Sequence, residues 1–227
     1  MRFKKASLFI LSTMLMICLF KVVSIQAAVH EHDSYPYIVG ISDKHKFVWF
    51  RVAKVGSSTV KSVFFKNNVN LSIKSDRFWF RPKEYKNYFK FAFVRNPWDR
   101  VVSCYCQKVE NKNPSWAHYY GECFDKGFEY FINFIDSKDL TRADRHIRLQ
   151  TTLIPVKDVN FIGRLESFAE DLQYVLGIIG VKDYQIPKKN PSNHGHYSTY
   201  YNETTKAIIA RKYQDDIEAF GYQFEVR

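Results

Sequence analysis

Twice in the first half of the chain an apolar run ends in a tight turn and passes directly into a helical pattern. Residues 46–52 (Lys-Phe-Val-Trp-Phe-Arg-Val) are β-rich, and Ala53-Lys54-Val55-Gly56-Ser57-Ser58-Thr59 follows as a turn built around one glycine. Val60, Val63 and Phe64 then repeat at the spacing of one helix face. The second pass begins with the Phe-rich run 88–94 and turns at Arg95-Asn96-Pro97-Trp98-Asp99. Pro97 bars Asn96 from the helical region, and Asp99 is placed to cap a helix over residues 100–110. A chain that repeats strand, turn and helix is constrained toward parallel strands with helical crossovers.

The rest of the chain fits that grammar. An amphipathic helix is expected over residues 128–135 and a third strand over residues 159–162. Ser167-Phe168-Ala169-Glu170 reads as a capping box opening a helix to about Leu176. After a loop over residues 185–197, Asn202 is placed to cap a final helix to about Tyr213, with residues 215–220 continuing it. The sequence carries no internal repeat. The expected architecture is a single α/β domain with a central parallel β-sheet flanked by helices.

The first 28 residues differ from the rest. A basic start (Arg2, Lys4, Lys5) leads into the apolar run 6–20, which Lys21 interrupts before Val22-Val23-Ser24-Ile25-Gln26-Ala27-Ala28. This reads either as a signal peptide cut near Ala27 or as an uncleaved signal-anchor that keeps the N-terminus cytoplasmic. Both readings send the remainder into a secretory lumen. The expected organisation is a leader over 1–28, a short polar lead-in over 29–46 and one domain over 47–227. Two N-glycosylation triplets, Asn70-Leu71-Ser72 and Asn202-Glu203-Thr204, accompany it. Of the cysteines outside the leader, Cys104 and Cys106 lie two apart on a predicted helix and point to different faces. One of them could pair with Cys123, leaving an odd thiol. These spacings offer too few ligands for a metal site.

Charge narrows the partners. The net charge is +11, of which the leader supplies four bases and no acid, leaving +7 on the domain. A basic domain suits an anionic partner. The bases are scattered, with no basic run or RNA-binding signature, so nucleic acid is disfavoured. Aromatic residues make up 17% of the chain, with 20 Phe, which reads first as a Phe-rich core.

The two turns are the candidate sites. In the first, backbone amides at a helix start can face an anion, Lys54 supplies a point charge, and Ser57, Ser58 and Thr59 supply hydroxyls. Gly56 is expected to remove a side chain where a phosphate must approach. The Lys precedes the Gly and an earlier Gly is missing, so the segment departs from the nucleoside-triphosphate P-loop. A P-loop-like nucleotide kinase is therefore a lesser alternative. In the second, Arg95 ends a strand and Ser103 lies on the following helix, a pair able to grip a second phosphate. The plainer readings are a serine-rich strand-to-helix turn, and an Arg95–Asp99 salt bridge.

Together the turns resemble the 5′-phosphosulfate loop and the 3′-phosphate segment of sulfotransferases that use 3′-phosphoadenylyl sulfate (PAPS), in particular the Golgi carbohydrate sulfotransferases of the chondroitin, dermatan and HNK-1 type. That family's first loop reads Pro-Lys-x-Gly-(Cys/Ser/Thr)-(Ser/Thr), with Ala53 here in place of Pro. Its second segment is followed almost position by position from Val94 to Tyr105. Phe161-Ile162-Gly163-Arg164-Leu165-Glu166, Glu170-Asp171-Leu172 and Phe220-Gly221-Tyr222 extend the resemblance over roughly residues 45–223. The resemblance implies a P-loop-like sulfotransferase fold, with PAPS as co-substrate and no metal. Lys54, Val55, Gly56, Ser57, Ser58 and Thr59 would hold the 5′-phosphosulfate, with Lys54 also catalytic, and Arg95 and Ser103 the 3′-phosphate. The acceptor would be a carbohydrate hydroxyl, on an acidic glycan given the charge, and the setting the Golgi membrane or the secreted space. Residues 144–150 resemble the family's His-Trp-x-x-Gln segment, with Ile147 in place of Trp, which makes His146 a candidate base. Glu110, His118 and His194 are rival bases. The alternative within the family is an inactive glycan-binding descendant.

Overall fold

The computed structural model describes residues 37–78, 80–182, 184, 186 and 195–226. The leader, residues 29–36 of the lead-in, His194 and most of the loop 185–197 lie outside the described residues. No helix among the described residues is long and apolar enough to cross a membrane.

Five strands form one sheet in the order β3-β1-β2-β4-β5. They are β1 (Tyr37–Ser42), β2 (Phe47–Phe50), β3 (Ser72–Phe78), β4 (Phe89–Val94) and β5 (Phe161–Arg164). β2 pairs in parallel with β4, and β4 with β5, while β1 pairs antiparallel with both β2 and β3. The sheet is therefore mixed, which corrects the expectation of a parallel one. The cause is the hairpin Tyr37–Phe50: a short turn over residues 43–46 can join only antiparallel strands. β1 also lies inside the stretch read as a lead-in, so the sheet begins at Tyr37 and not at Phe47.

β2 is buried along its whole length, as is β4 after its first residue, because helices and loops cover both faces. The Phe-rich reading of the core holds. Phe47, Trp49, Phe64 and Phe91 interlock, with Trp49 stacked on Phe91 at 6.4 Å, and Phe93 meets Phe168 at 5.2 Å. Gly163 sits against this cluster, where an added Cβ would lie 2.5 Å from the Phe93 ring.

The main helices are α1 (Ser57–Lys66), α2 (Pro97–Cys104), α3 (Gly127–Asp136), α4 (Phe168–Ile178), α5 (Glu203–Lys212) and α6 (Gln214–Phe220). α1 and α4 pack on the sheet core, whereas α2, α3 and α5 build a second apolar cluster around Val101, Phe131 and Ile209. Asn202 caps α5 as expected, accepting from the Thr205 amide at 2.8 Å. Two caps differ. Asn96 and not Asp99 caps α2, because the helix begins at Pro97 and Asp99 falls inside its first turn, where it pairs with Arg95. Ser167 makes no cap bond, because its hydroxyl donates to Asp171 at 2.7 Å.

α2 also stops being α-helical at Cys104. Residues Tyr105–Glu110 form a π-turn, a wider coil that often marks functional segments. The cysteines are free, which corrects the pairing considered above. Cys104 is buried beside the Tyr120 hydroxyl and Cys106 beside Tyr200, so neither reaches Cys123. Burial pushes all three thiols up to about 11, which keeps them protonated and inert.

Candidate active site

A cavity of about 460 Å³ opens at the ends of β2 and β4, where the two turns meet α2. It is lined by Lys54, Gly56, Ser57, Ser58, Thr59, Arg95, Ser103 and His146, so one cavity gathers every site residue expected from the sequence except Val55. Val55 is 1% exposed and faces the core, leaving only its backbone for the site.

The first turn is shaped by two left-handed residues, Lys54 at φ 70° and Gly56 at φ 80°. Lys54 adopts this conformation against its own preference, a strain of about 1–3 kcal/mol that marks functional turns. Gly56 is required for packing as well. A Cβ there would lie 2.9 Å from Phe168 and 3.1 Å from Leu165, so protein fills that space. The glycine lets the turn lie flat on α4 and brings α1 to the cavity. α1 has no side-chain cap and no acid in its first turn. The Ser57 and Ser58 amides make no hydrogen bond among the described residues, whereas the Thr59 amide bonds Gly56. An uncapped helix start of this kind attracts anions through both free N–H groups and the helix dipole. The Ser57 hydroxyl donates to the Val52 carbonyl at 2.6 Å and so braces the turn.

The Lys54 ammonium donates to Gln107 Oε1 at 2.7 Å. Gln107 reaches it from the π-turn, which is why a plain α-helix reading did not find it. Burial, together with the nearby charges of Arg95 and Lys108, pushes the Lys54 pKa down to about 8, although the neighbouring Cys104 acts in the opposite sense.

In the second turn Arg95 forms a two-point pair with Asp99, at 2.7 and 2.8 Å, and also donates to the Lys54 carbonyl at 3.3 Å. The plain salt-bridge reading of Arg95 is thus realised, yet Arg95 also lines the cavity beside Ser103. Three downstream segments support this turn. Gln150 clamps the Arg95 backbone from both sides, accepting from its amide at 3.0 Å and donating to its carbonyl at 2.9 Å. Glu166 accepts from the Asn96 amide at 2.8 Å, and Tyr222 donates to Glu166 at 3.1 Å.

His146 is 7% exposed and meets Asp144 through Nδ1 at 2.7 Å. Trp116 holds the ring edge-on, with centroids 4.3 Å apart. Burial lowers the His146 pKa below its usual value, more than Asp144 raises it, so the imidazole is neutral at neutral pH. Asp144 is held down to about 2: burial alone would raise it, and the bonds from His146 and the Tyr120 hydroxyl more than offset this. With Nδ1–H donated to Asp144, Nε2 is left as the proton-accepting atom. Of the rival bases, Glu110 and His118 are exposed and do not line the cavity, and His194 lies outside the described residues.

The cavity also holds Arg51 and Arg145, which the scattered charge pattern did not single out. Arg100 is fully buried behind it and donates to the carbonyls of Ala53, Arg148 and Arg145 at 3.1, 2.8 and 2.8 Å.

The chain is similar to several known proteins. Human carbohydrate sulfotransferase 9 is 26% identical over 217 residues, covering 78% of this chain and 47% of that protein. Carbohydrate sulfotransferase 11 of Rattus norvegicus is 30% identical over 122 residues, covering 44% of this chain and 35% of that protein. Carbohydrate sulfotransferase 14 of Danio rerio is 24% identical over 225 residues, covering 80% and 61%. The chain thus spans less than two thirds of the length of these relatives. No solved structure matches it. The family model described as "Sulfotransferase family" matches residues 39–223, from β1 to just beyond α6, and the chain therefore belongs to the sulfotransferase family.

Proposed function

We propose that this protein transfers the sulfuryl group of PAPS to a hydroxyl of a carbohydrate. The observation that carries the reading is that one cavity joins an uncapped helix start, a partly buried lysine, an arginine at a strand end and an Asp–His pair. The relatives named as carbohydrate sulfotransferases support the acceptor class.

The Ser57 and Ser58 amides and Lys54 would take the 5′-phosphosulfate, and the remaining N–H groups of Arg95 with the Ser103 hydroxyl would take the 3′-phosphate. No metal enters the scheme. The acceptor oxygen attacks sulfur in line, the bond from sulfur to the bridging oxygen breaks, and adenosine 3′,5′-bisphosphate leaves with the electron pair. Nε2 of His146 receives the hydroxyl proton. Lys54 neutralises the charge that develops on the bridging oxygen, which is electrostatic catalysis in a pre-built site. The N-terminal leader and the two glycosylation triplets support a secretory setting, membrane-bound if the leader is retained. Asn70 is exposed, whereas the Asn202 side chain is committed to its helix cap, which favours Asn70 as the glycosylated position.

The test is transfer of labelled sulfate from PAPS to chondroitin, dermatan, heparan and desulfated glycans. Wild-type protein should label at least one of them, and Lys54→Ala should lose most turnover while melting as a folded protein. Transfer by Lys54→Ala at the wild-type rate would refute the mechanism. Glycan binding without transfer would point instead to an inactive member of the family.

A further inference from the structure

We propose that Arg51 and Arg145 form an anion subsite at the acceptor end of the cavity, which takes a carboxylate or sulfate ester of the glycan that receives the sulfuryl group. This inference rests on the sulfotransferase reading above.

Arg51 follows β2 directly, and its amide donates to the Ile38 carbonyl at 2.8 Å, which continues the β1–β2 ladder. Its guanidinium lies over the Trp49 ring at 5.3 Å. Backbone and ring thus fix the group on a rigid sheet and not on a free stem. Nε of Arg51 is the one buried side-chain nitrogen or oxygen without a hydrogen-bond partner among the described residues. A buried donor left unpaired is costly, and the guanidinium that carries it lines a polar cavity, where a bound anion would offset that cost. Arg145 approaches from the loop 141–149, directly before His146, and Arg100 pins its carbonyl at 2.8 Å. Its side chain is exposed and makes no ion pair among the described residues.

The charge balance of the cavity singles out these two groups. Asp99 is the one carboxylate among the lining residues, and Arg95 occupies both of its oxygens. Arg51 and Arg145 therefore share the cavity without a counter-ion. They are close enough to interact: burial lowers the Arg51 pKa first, and the Arg145 charge lowers it further. Two guanidinium groups that share a cavity repel until an anion is bound between them, and arginine's planar fork suits carboxylate and sulfate. The donor's own anionic groups are already provided for, by α1 and Lys54 at one end and by Arg95 and Ser103 at the other. The surplus pair lines the same cavity as His146, where the acceptor hydroxyl would be deprotonated. An acidic substituent held there would orient the neighbouring hydroxyl toward Nε2.

The experiment uses the full chain with adenosine 3′,5′-bisphosphate present. Calorimetry measures binding of four chondroitin hexasaccharides: native sulfated, desulfated, carboxyl-reduced sulfated, and both desulfated and carboxyl-reduced. Wild-type protein should bind at least one charged form about tenfold more tightly than the neutral form. Arg145→Gln, at an exposed position, and Arg51→Gln should each abolish most of that preference, leaving affinity for the bisphosphate within about twofold. The single-anion forms tell whether carboxylate or sulfate is read. Equal binding of charged and neutral forms by the wild type would overturn the proposal, as would an unchanged preference in Arg145→Gln. Loss of bisphosphate affinity in either variant would assign the pair to the donor and overturn it too. Failure of wild-type protein to bind the bisphosphate would be the separate failure of the sulfotransferase reading.

Discussion

Nucleotide affinity should fall as pH rises above the Lys54 pKa, and Lys54 should carry the slope. Lys54 is pushed from its ordinary 10.5 down to about 8 in the free site, chiefly by burial. An anion bound at the first turn favours the charged ammonium and so raises that pKa in the complex. The sign follows: below pH 8 the lysine is already protonated and affinity is at its full value, while above it each binding event must first take up a proton. If binding restores the ordinary value, the loss reaches about 3 kcal/mol in total, at about 1.4 kcal/mol per pH unit. Between about pH 7.5 and about pH 9.5 the affinity for adenosine 3′,5′-bisphosphate should then fall about 20-fold, with uptake of about 0.2 proton at the lower end and about 0.9 at pH 9. Burial also lowers the pKa of Lys108, whose charge acts on Lys54, so the slope of Lys54→Met separates the two lysines in this window. The ligand phosphates are fully ionised there, with second pKa values of about 6. His146 titrates below its usual range, and the cysteines lie at about 11. Calorimetry in buffers of different ionisation enthalpy measures affinity and proton uptake together. A flat wild-type profile would refute the reasoning, as would the same slope in Lys54→Met.

Two further outcomes follow from the geometry. Asp144→Asn replaces the carboxylate by an amide that can also donate to Nδ1 and no longer fixes the His146 tautomer, so kcat should fall on the order of 100-fold while bisphosphate affinity holds, read from steady-state rates beside calorimetry. Gly56→Ala places a Cβ at φ 80° and 2.9 Å from Phe168, which should cost about 2–4 kcal/mol and lower the melting temperature by about 5–15 °C, a drop that thermal denaturation would show.

The strands that carry the site were legible because they are buried on both faces and therefore read as unbroken apolar runs. β1 was not, since its six residues sit between the polar stretches 30–34 and 43–46, and only the short β-rich run Tyr37–Ile41 marks it. β3 was missed for the opposite reason. It is an edge strand with charged positions, Ser-Ile-Lys-Ser-Asp-Arg-Phe, which protects an exposed edge but erases the apolar signal. In the site, Lys54 and Arg95 were found because each lies in a turn between a strand and a helix, whereas His146 was found only through resemblance. Gln107 escaped because a π-turn shifts which residue faces inward. Asp144 escaped because its partnership with His146 spans two residues of irregular loop, where no period applies. The Phe161–Glu166 and Phe220–Tyr222 segments were seen only as resemblance. The structure gives them a physical task, bracing Asn96 through Glu166 and Tyr222.

The buried Arg100 explains why two separately legible turns make one site. Among the described residues its guanidinium forms no ion pair and instead donates to three carbonyls, one directly before Lys54 and two flanking the His146 segment. A charge in such a place is tolerated because every donor direction it uses is satisfied, and because Asp216, pushed up by burial, is drawn back by the Arg100 charge. Asp216 in turn accepts from the amides of Gln150 and Thr151, at 2.8 and 2.9 Å, and Gln150 grips Arg95. Lys54, Arg95 and His146 are thereby referenced to one another through rigid buried groups and not through the sheet alone. The fork of a guanidinium fixes both the distance and the angle between the loops it joins, which a lysine ammonium on a flexible stem does not. The spacing between the donor end and the base is therefore encoded at a position that contacts neither substrate.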